Sequence, residues 1–261
     1  MSDDAWAAYF YPETFDEATR YGTLRNLLGL RDAGELAHAE YLASAWREQD
    51  LARGAAIIPQ TFDAGHLSAI HRHLLQDVYE WAGQWRTVEL AKGKGAFASI
   101  EFGDVKLHLE YARRGVHDRS WMQMGQREFA EAAGEVFAHI NQAHPFREGN
   151  GRASKVFMNH VAQLAGRELD YRLISPAVWN AAAEASRPPV GEFTPNGQPM
   201  ATLFAAIARP SRQRAEPSVD ERIMRAIEGL IDRAGPRPRI EPPPRPPGAR
   251  DFPGGQDGYG R

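Results

Sequence analysis

Nine consecutive residues, His144-Pro145-Phe146-Arg147-Glu148-Gly149-Asn150-Gly151-Arg152, carry the side chains best suited to chemistry. His144 titrates near neutrality and can take a proton from an incoming hydroxyl. Glu148 is a hard oxygen ligand of the kind Mg²⁺ uses together with substrate phosphates. Gly149, Asn150 and Gly151 tolerate unusual backbone angles, including positive φ. Just before a helix, they can aim successive N–H groups at one anion, most naturally a phosphate. Arg152 can add a charged fork to the same phosphates. Pro145 and Phe146 have no reactive groups and serve to fix the loop and anchor it. A base, a metal ligand, a phosphate cradle and a cation are the parts that phosphoryl-type transfer needs. Singly, each has an ordinary structural explanation; the signal is their combination at one helix start.

The flanking residues predict the elements that must hold this loop. Phe129, Ala132, Ala133, Val136, Phe137 and Ile140 make an apolar helical face over 126–142. Ala153, Val156, Phe157, Val161 and Leu164 make another over 152–165, closed by Gly166. Leu67, Ile70, Leu74 and Val78 predict a helix from Asp63, its N-cap, to Tyr79, with Gly83 as a stop just beyond. Residues 36–47 read as a further helix. Trp85–Leu90 and Ala96–Ile100 are rich in β-formers, and the glycines of 91–95 join them as a hairpin. The expectation is a mainly α domain with one small hairpin.

Composition removes several alternatives. The 261 residues contain no cysteine, which excludes disulfides, thiolate catalysis and cysteine-based zinc sites, and fits a cytoplasmic location. A net charge of −3 gives no global basic field for direct nucleic-acid binding. No run of about 18 apolar residues suggests a membrane span, and Met1–Tyr11 is acidic and aromatic, unlike a signal peptide. Ten of the eighteen prolines lie from Pro210 onward. A short helix is expected near 219–233, and a disordered proline- and glycine-rich tail after it; its prolines could present a polyproline ligand.

HPFREGNGR resembles the signature of Fic-domain proteins, HPFx(D/E)GNGR, at every defined position. Tyr11-Pro12, 21–29 (YGTLRNLLG) and 77–86 (DVYEWAGQWR) resemble further segments of bacterial Fic toxins and effectors, so the resemblance runs from about Tyr9 to Ala208. It implies a Fic-type helical bundle over 1–209 with a β-hairpin flap at about 88–100, followed by the tail at 210–261. It implies Mg²⁺ as cofactor and ATP as substrate. His144 would deprotonate a target Ser, Thr or Tyr hydroxyl, which would attack the α-phosphate. Glu148 would hold the metal; Gly149, Asn150 and Gly151 would line the anion hole; Arg152 would contact the phosphates. The flap would register the target by strand addition, with Val88, Leu90, Phe97 and Ile100 either clamping it or packing on the bundle. Trp179, Asn180 and Ala183 would line an adenine pocket or simply pack a helix. Many members continue GNGRxxR, and the second arginine binds the terminal phosphate; here Lys155 stands at that position and would reach the phosphate as a point charge without a fork.

Two further readings stand beside adenylyl transfer. Doc-like relatives bind the nucleotide reversed and transfer its terminal phosphate, but their motif lacks the acidic residue and the second glycine that Glu148 and Gly151 supply here. A binding module using flap and tail is the non-enzymatic alternative. Resemblance to the toxin branch points to a topoisomerase subunit as target; resemblance to the effector branch points to a host GTPase and translocation into another cell. No (S/T)xxxE(G/N) inhibitory motif occurs, since His144 and Met224 stand four before the two Glu-Gly pairs. The expectation is therefore a small antitoxin supplying the inhibitory helix. His71 and His73, two apart on a helix, point to different faces and make a poor metal pair; His139 reads as structural.

Overall fold

The computed structural model describes residues 3–93 and 95–211, which belong to one folded unit ending at Ser211. The expected helix near 219–233 and the proline-rich tail lie outside the described residues. The helices, in chain order, are α1 (Asp3–Ala7), α2 (Ala33–Arg53), α3 (Ala64–Leu75), α4 (Asp104–His117), α5 (Gln126–Ala143), α6 (Asn150–Leu164), α7 (Pro176–Ala185) and α8 (Gln198–Ile207). Two small antiparallel pairs accompany them: β1 (Ala91–Lys92) with β2 (Gly95–Ala96), and β3 (Arg167–Leu169) with β4 (Ala208–Pro210).

Helix α5 is the central strut, packed on α4, α6 and α8. Phe129, Val136, Phe137 and Ile140 are buried, as their spacing predicts, but so are Ala130, Gly134 and Ala138 on the remaining faces. Small residues there let neighbouring helices approach closely. Helix α3 starts at Asp63, whose carboxylate accepts from the His66 N–H, and packs on α6 and α2. It ends at Leu75 rather than Tyr79. Beyond it, N–H groups bond to carbonyls in turns, and Val78 and Tyr79 enter the core from a loop. Helical spacing therefore extends past the helix because burial continues after the helix stops.

The hairpin is shorter than its sequence suggests. The ladder joins 91–92 to 95–96, so three of its four residues lie in the segment expected to be only the connection, and Ala96 alone in an expected strand. Residues 85–90 and 97–100 are not strands, because a side chain takes the place of their ladder. The Arg86 guanidinium donates to the carbonyls of Val88 and Ala98, so the two segments are bridged through it. Of the hairpin's two edges, the β2 side is covered: Gln142 donates to Ala96 O and its carbonyl accepts from Ala98 N. Ala91, on the other strand, is exposed.

The α5–α8 contact sets a sharp limit on Gly134. A Cβ there would stand 2.5 Å from Gly197 O and 2.8 Å from Ala201 N, backbone atoms that cannot swing aside. Alanine would add up to about 1 kcal/mol of helix propensity. Overpacking costs about 1–3 kcal/mol, and contact with main chain belongs at the upper end. Gly134→Ala should therefore lower stability by about 1–2 kcal/mol in urea denaturation; an unchanged or higher midpoint would show that α8 yields.

Candidate active site

All nine residues from His144 to Arg152 line one cleft of about 560 Å³ between α5, α6, α7 and the hairpin. The loop's shape follows from a few backbone constraints. Helix α5 closes on His144, a non-glycine residue at φ 40°, whose N–H still bonds Ile140 O. That left-handed turn costs about 1–2 kcal/mol, and it turns the chain out of the helix into Pro145. At the far side, Gly149 caps α6 at φ 77°. A Cβ on it would lie 2.3 Å from a Leu75 methyl and 3.1 Å from His71 Nε2, so only glycine fits on both counts.

Asn150 staples the loop: its Oδ1 accepts from Phe146 N at 2.9 Å and its Nδ2 donates to Phe146 O at 2.7 Å. Its side chain is thereby committed to the loop, and its backbone N–H is what remains for an anion. The N–H groups of Asn150, Gly151 and Arg152 open α6 before its first i→i−4 bond, from Ala153 to Gly149. Phe146 is buried and stacks on His71 at 3.8 Å. His71 Nδ1 accepts from the Gly83 N–H at 2.8 Å, so its proton sits on Nε2 and is donated to Glu148 O, also 2.8 Å away. The sequence separates His71 from His73 correctly, and His73 bonds Arg47 O instead. It gives no hint that His71 supports the loop.

The side chains left free face the cleft. The His144 imidazole stacks on Phe97 at 3.7 Å, and its buried Nδ1 makes no hydrogen bond of ordinary geometry. Burial, then the nearby Arg86 charge, depress its pKa to about 3, outweighing the Asn141 backbone carbonyl. Glu148 has a side chain 50% exposed to the cleft, yet protein surrounds it closely enough that burial raises its carboxyl pKa, against the pull of Arg147 at 3.7 Å. Arg147 itself is buried against Trp6, its guanidinium carbon 4.4 Å from the ring. Arg152 is held by Glu40 and by Ser44 Oγ at 3.1 Å, and Tyr79 donates to the same Glu40. Lys155, expected to reach the phosphates, lies half-buried in the cleft wall with its ammonium 5.0 Å from the Trp179 ring; burial lowers its pKa.

Trp179, Asn180 and Ala183 line the same cleft. Among the proposed flap clamps, Val88 is buried as ordinary packing, whereas Leu90 and Phe97 reach the cleft. His139 is half-buried and bonds His108, a structural pairing. Sequence reasoning assigned no role in the site to Glu40, Arg86 and Arg187, and weighed His71 only as a metal ligand. Only Arg86 had a signal, as the last residue of a segment quoted for its resemblance. Among the described residues no group of three or more His, Asp or Glu side chains could hold a metal. Glu148 therefore offers one hard carboxylate beside an anion cradle, a donor set that fits Mg²⁺ shared with bound phosphates.

Residues 61–162 match the family model of the Fic/DOC family. The probable protein adenylyltransferase y4lH of Sinorhizobium fredii is 36% identical over 153 residues, which is 59% of this chain and 77% of that protein. The protein adenylyltransferase VbhT of Bartonella schoenbuchensis is 34% identical over 62% of this chain but only 32% of its own length. Among solved structures, the BepC effector of Bartonella tribocorum with bound AMPPNP superposes with a TM-score of 0.66 at 28% identity, covering 79% of this chain and 98% of that one.

Buried histidines make stability depend on pH. Burial holds His66, His71 and His108 at about 4. Unfolding frees them to an ordinary value near 6.5, so below that pH the unfolded chain binds more protons. The stabilisation is complete above about pH 6.5 and falls with pH, by roughly 1.4 kcal/mol per unit per histidine as an upper bound. Urea midpoints should be level from pH 8 to 7 and drop steeply between 6.5 and 5, before most carboxylates titrate. A flat profile to pH 5 would mean these imidazoles are protonated in the fold.

Proposed function

The chain belongs to the Fic/DOC family, and from that membership we propose that it is a protein adenylyltransferase, moving AMP from ATP to a hydroxyl side chain of another protein. The observation that carries this reading is the cleft: base, cradle, carboxylate and guanidinium of the motif all open into one space. Residues 1–209 would be the catalytic domain, with 210–261 outside it. The relatives' names agree with the reading.

His144 is the general base. Its depressed pKa leaves the imidazole neutral before substrate arrives. A bound triphosphate would offset the positive field of Arg86, Arg187 and Lys92, and so raise proton affinity when the proton must move. The target oxygen gives its proton to His144 and bonds to the α-phosphorus. The bond from that phosphorus to the bridging oxygen breaks, and pyrophosphate leaves. The N–H groups opening α6 hold the anionic oxygens in place. Arg152, steadied by Glu40, and Lys155 neutralise the outer phosphates. Trp179, Asn180 and Ala183 form the wall for the base. Glu148 would hold Mg²⁺, which screens phosphate charge when bound.

The target adds as an extended segment to the open β1 edge at Ala91, since Gln142 covers the β2 edge. An antitoxin helix and a translocated mode of action are proposed from the relatives' branch alone.

The test uses ATP labelled at the α- or the γ-phosphate, with Mg²⁺ and a bacterial lysate. Label should enter protein from the α position only, and His144→Ala should lower it by at least about 100-fold, as loss of a general base does. Label from the γ position alone would overturn the assignment and imply a reversed nucleotide.

A further inference from the structure

Three side chains form a stack across the hairpin. The guanidinium carbon of Arg187 lies 4.2 Å from the centre of the Phe97 ring, and that ring lies 3.7 Å from the His144 imidazole at an interplanar angle of 15°. Arg187 follows the end of α7 and is only 9% exposed. Its Nη1 donates to Lys92 O, in the hairpin, at 2.9 Å. The same nitrogen lies 3.2 Å from both carboxylate oxygens of Glu184. Nη2 stands against Gly95, where an added Cβ would be 3.1 Å away, and Nε is buried without a partner. Phe97 continues the hairpin, its N–H bonding Leu90 O.

A buried guanidinium is costly unless its hydrogen bonds and neighbours compensate. Here they lie on two elements: α7, through Glu184, and the hairpin, through Lys92 O. The aromatic face between Arg187 and His144 receives the cation on one side and the imidazole on the other. A shift of the hairpin would displace Phe97, and with it the support of a ring whose Nδ1 makes no hydrogen bond of ordinary geometry and has only the Asn141 carbonyl near it.

We propose that Arg187 is a positioning residue for the transfer: it fastens the hairpin to α7 and, through the Phe97 ring, holds the His144 imidazole in its working orientation. This rests on His144 being the base. It makes hairpin position and base orientation one variable, so a target that seats correctly on the hairpin meets an aligned base.

The test compares full-length wild type, R187K and R187M. In proton NMR, the His144 ring signals, assigned by their loss in H144A, are expected upfield because of the stack on Phe97. In R187M they should move toward free-histidine positions. The labelling rate from α-labelled ATP in lysate, followed against ATP concentration, should fall about 10- to 100-fold at saturation, the scale set by one buried charge-assisted bond, with KM for ATP within about twofold. R187K keeps the charge but not the fork, and should recover part of both signals. Should R187M fail to fold, R187K alone must still show a displaced ring signal and at least a fivefold lower saturated rate. Unmoved ring signals, or saturated rates within twofold of wild type in the folded variants, would overturn the proposal. Wild-type labelling that survives in H144A would instead defeat the assignment of the base, while the ring signals would still report on the stack.

Discussion

Much of this molecule depends on one buried cation. The Arg86 side chain has no exposed surface. Its Nε donates to His144 O at 2.9 Å, its Nη1 to Val88 O at 2.7 Å, and its Nη2 to Ala98 O, while its own backbone N–H bonds Pro145 O at 2.7 Å. Glu89 balances the charge at 3.3 Å, and its carboxylate in turn accepts from Ser99 and Ile100. A charge in that position persists only when nearly every donor is used. The requirement joins the loop carrying the base to both arms of the hairpin. It accompanies the absence of strands over 85–90 and 97–100, where the Val88 and Ala98 carbonyls accept from Arg86 and one backbone bond, Phe97 N–H to Leu90 O, links the two segments.

The loop between α5 and α6 is organised by the same economy. Groups that could wander are spent on structure: both polar atoms of the Asn150 side chain, both nitrogens of His71, the ring of Phe146 and the guanidinium of Arg147. What remains directed at the cleft is the set that could act on a nucleotide. Holding reactive groups in place before substrate binds removes reorganisation from the reaction itself. The left-handed turn at His144 is a small strain retained for that arrangement.

Charge in the cleft is balanced by pairing as well. Glu40, from α2, meets Arg152 and Tyr79, so the motif's arginine is oriented from a helix more than a hundred residues earlier in the chain. Lys155, one turn beyond Arg152 along α6, has its ammonium 5.2 and 5.0 Å from the Tyr171 and Trp179 rings, with Glu48 as a nearby opposite charge. Helix α6 thus supplies the cleft with one oriented fork, Arg152, and one point charge, Lys155.

The helical fold and the reactive loop were legible in the sequence because both are local. A 3.6-residue period over 126–142 and 152–165 reports which faces are apolar, and a His, a Glu and two glycines within nine residues report chemistry wherever the fold puts them. The N-cap at Asp63 was readable for the same reason. The hairpin was misplaced because β-propensity cannot anticipate a guanidinium that satisfies the carbonyls in place of a partner strand. The contacts of Glu40 with Arg152, of His71 with Glu148 O, and of Arg187 with Phe97 join residues 77 or more positions apart. No spacing encodes such pairs. By itself the sequence determined which atoms could react and which helices would carry them. Tertiary packing decided which side chains hold those atoms still, because a buried polar group takes whatever partner the fold brings within reach.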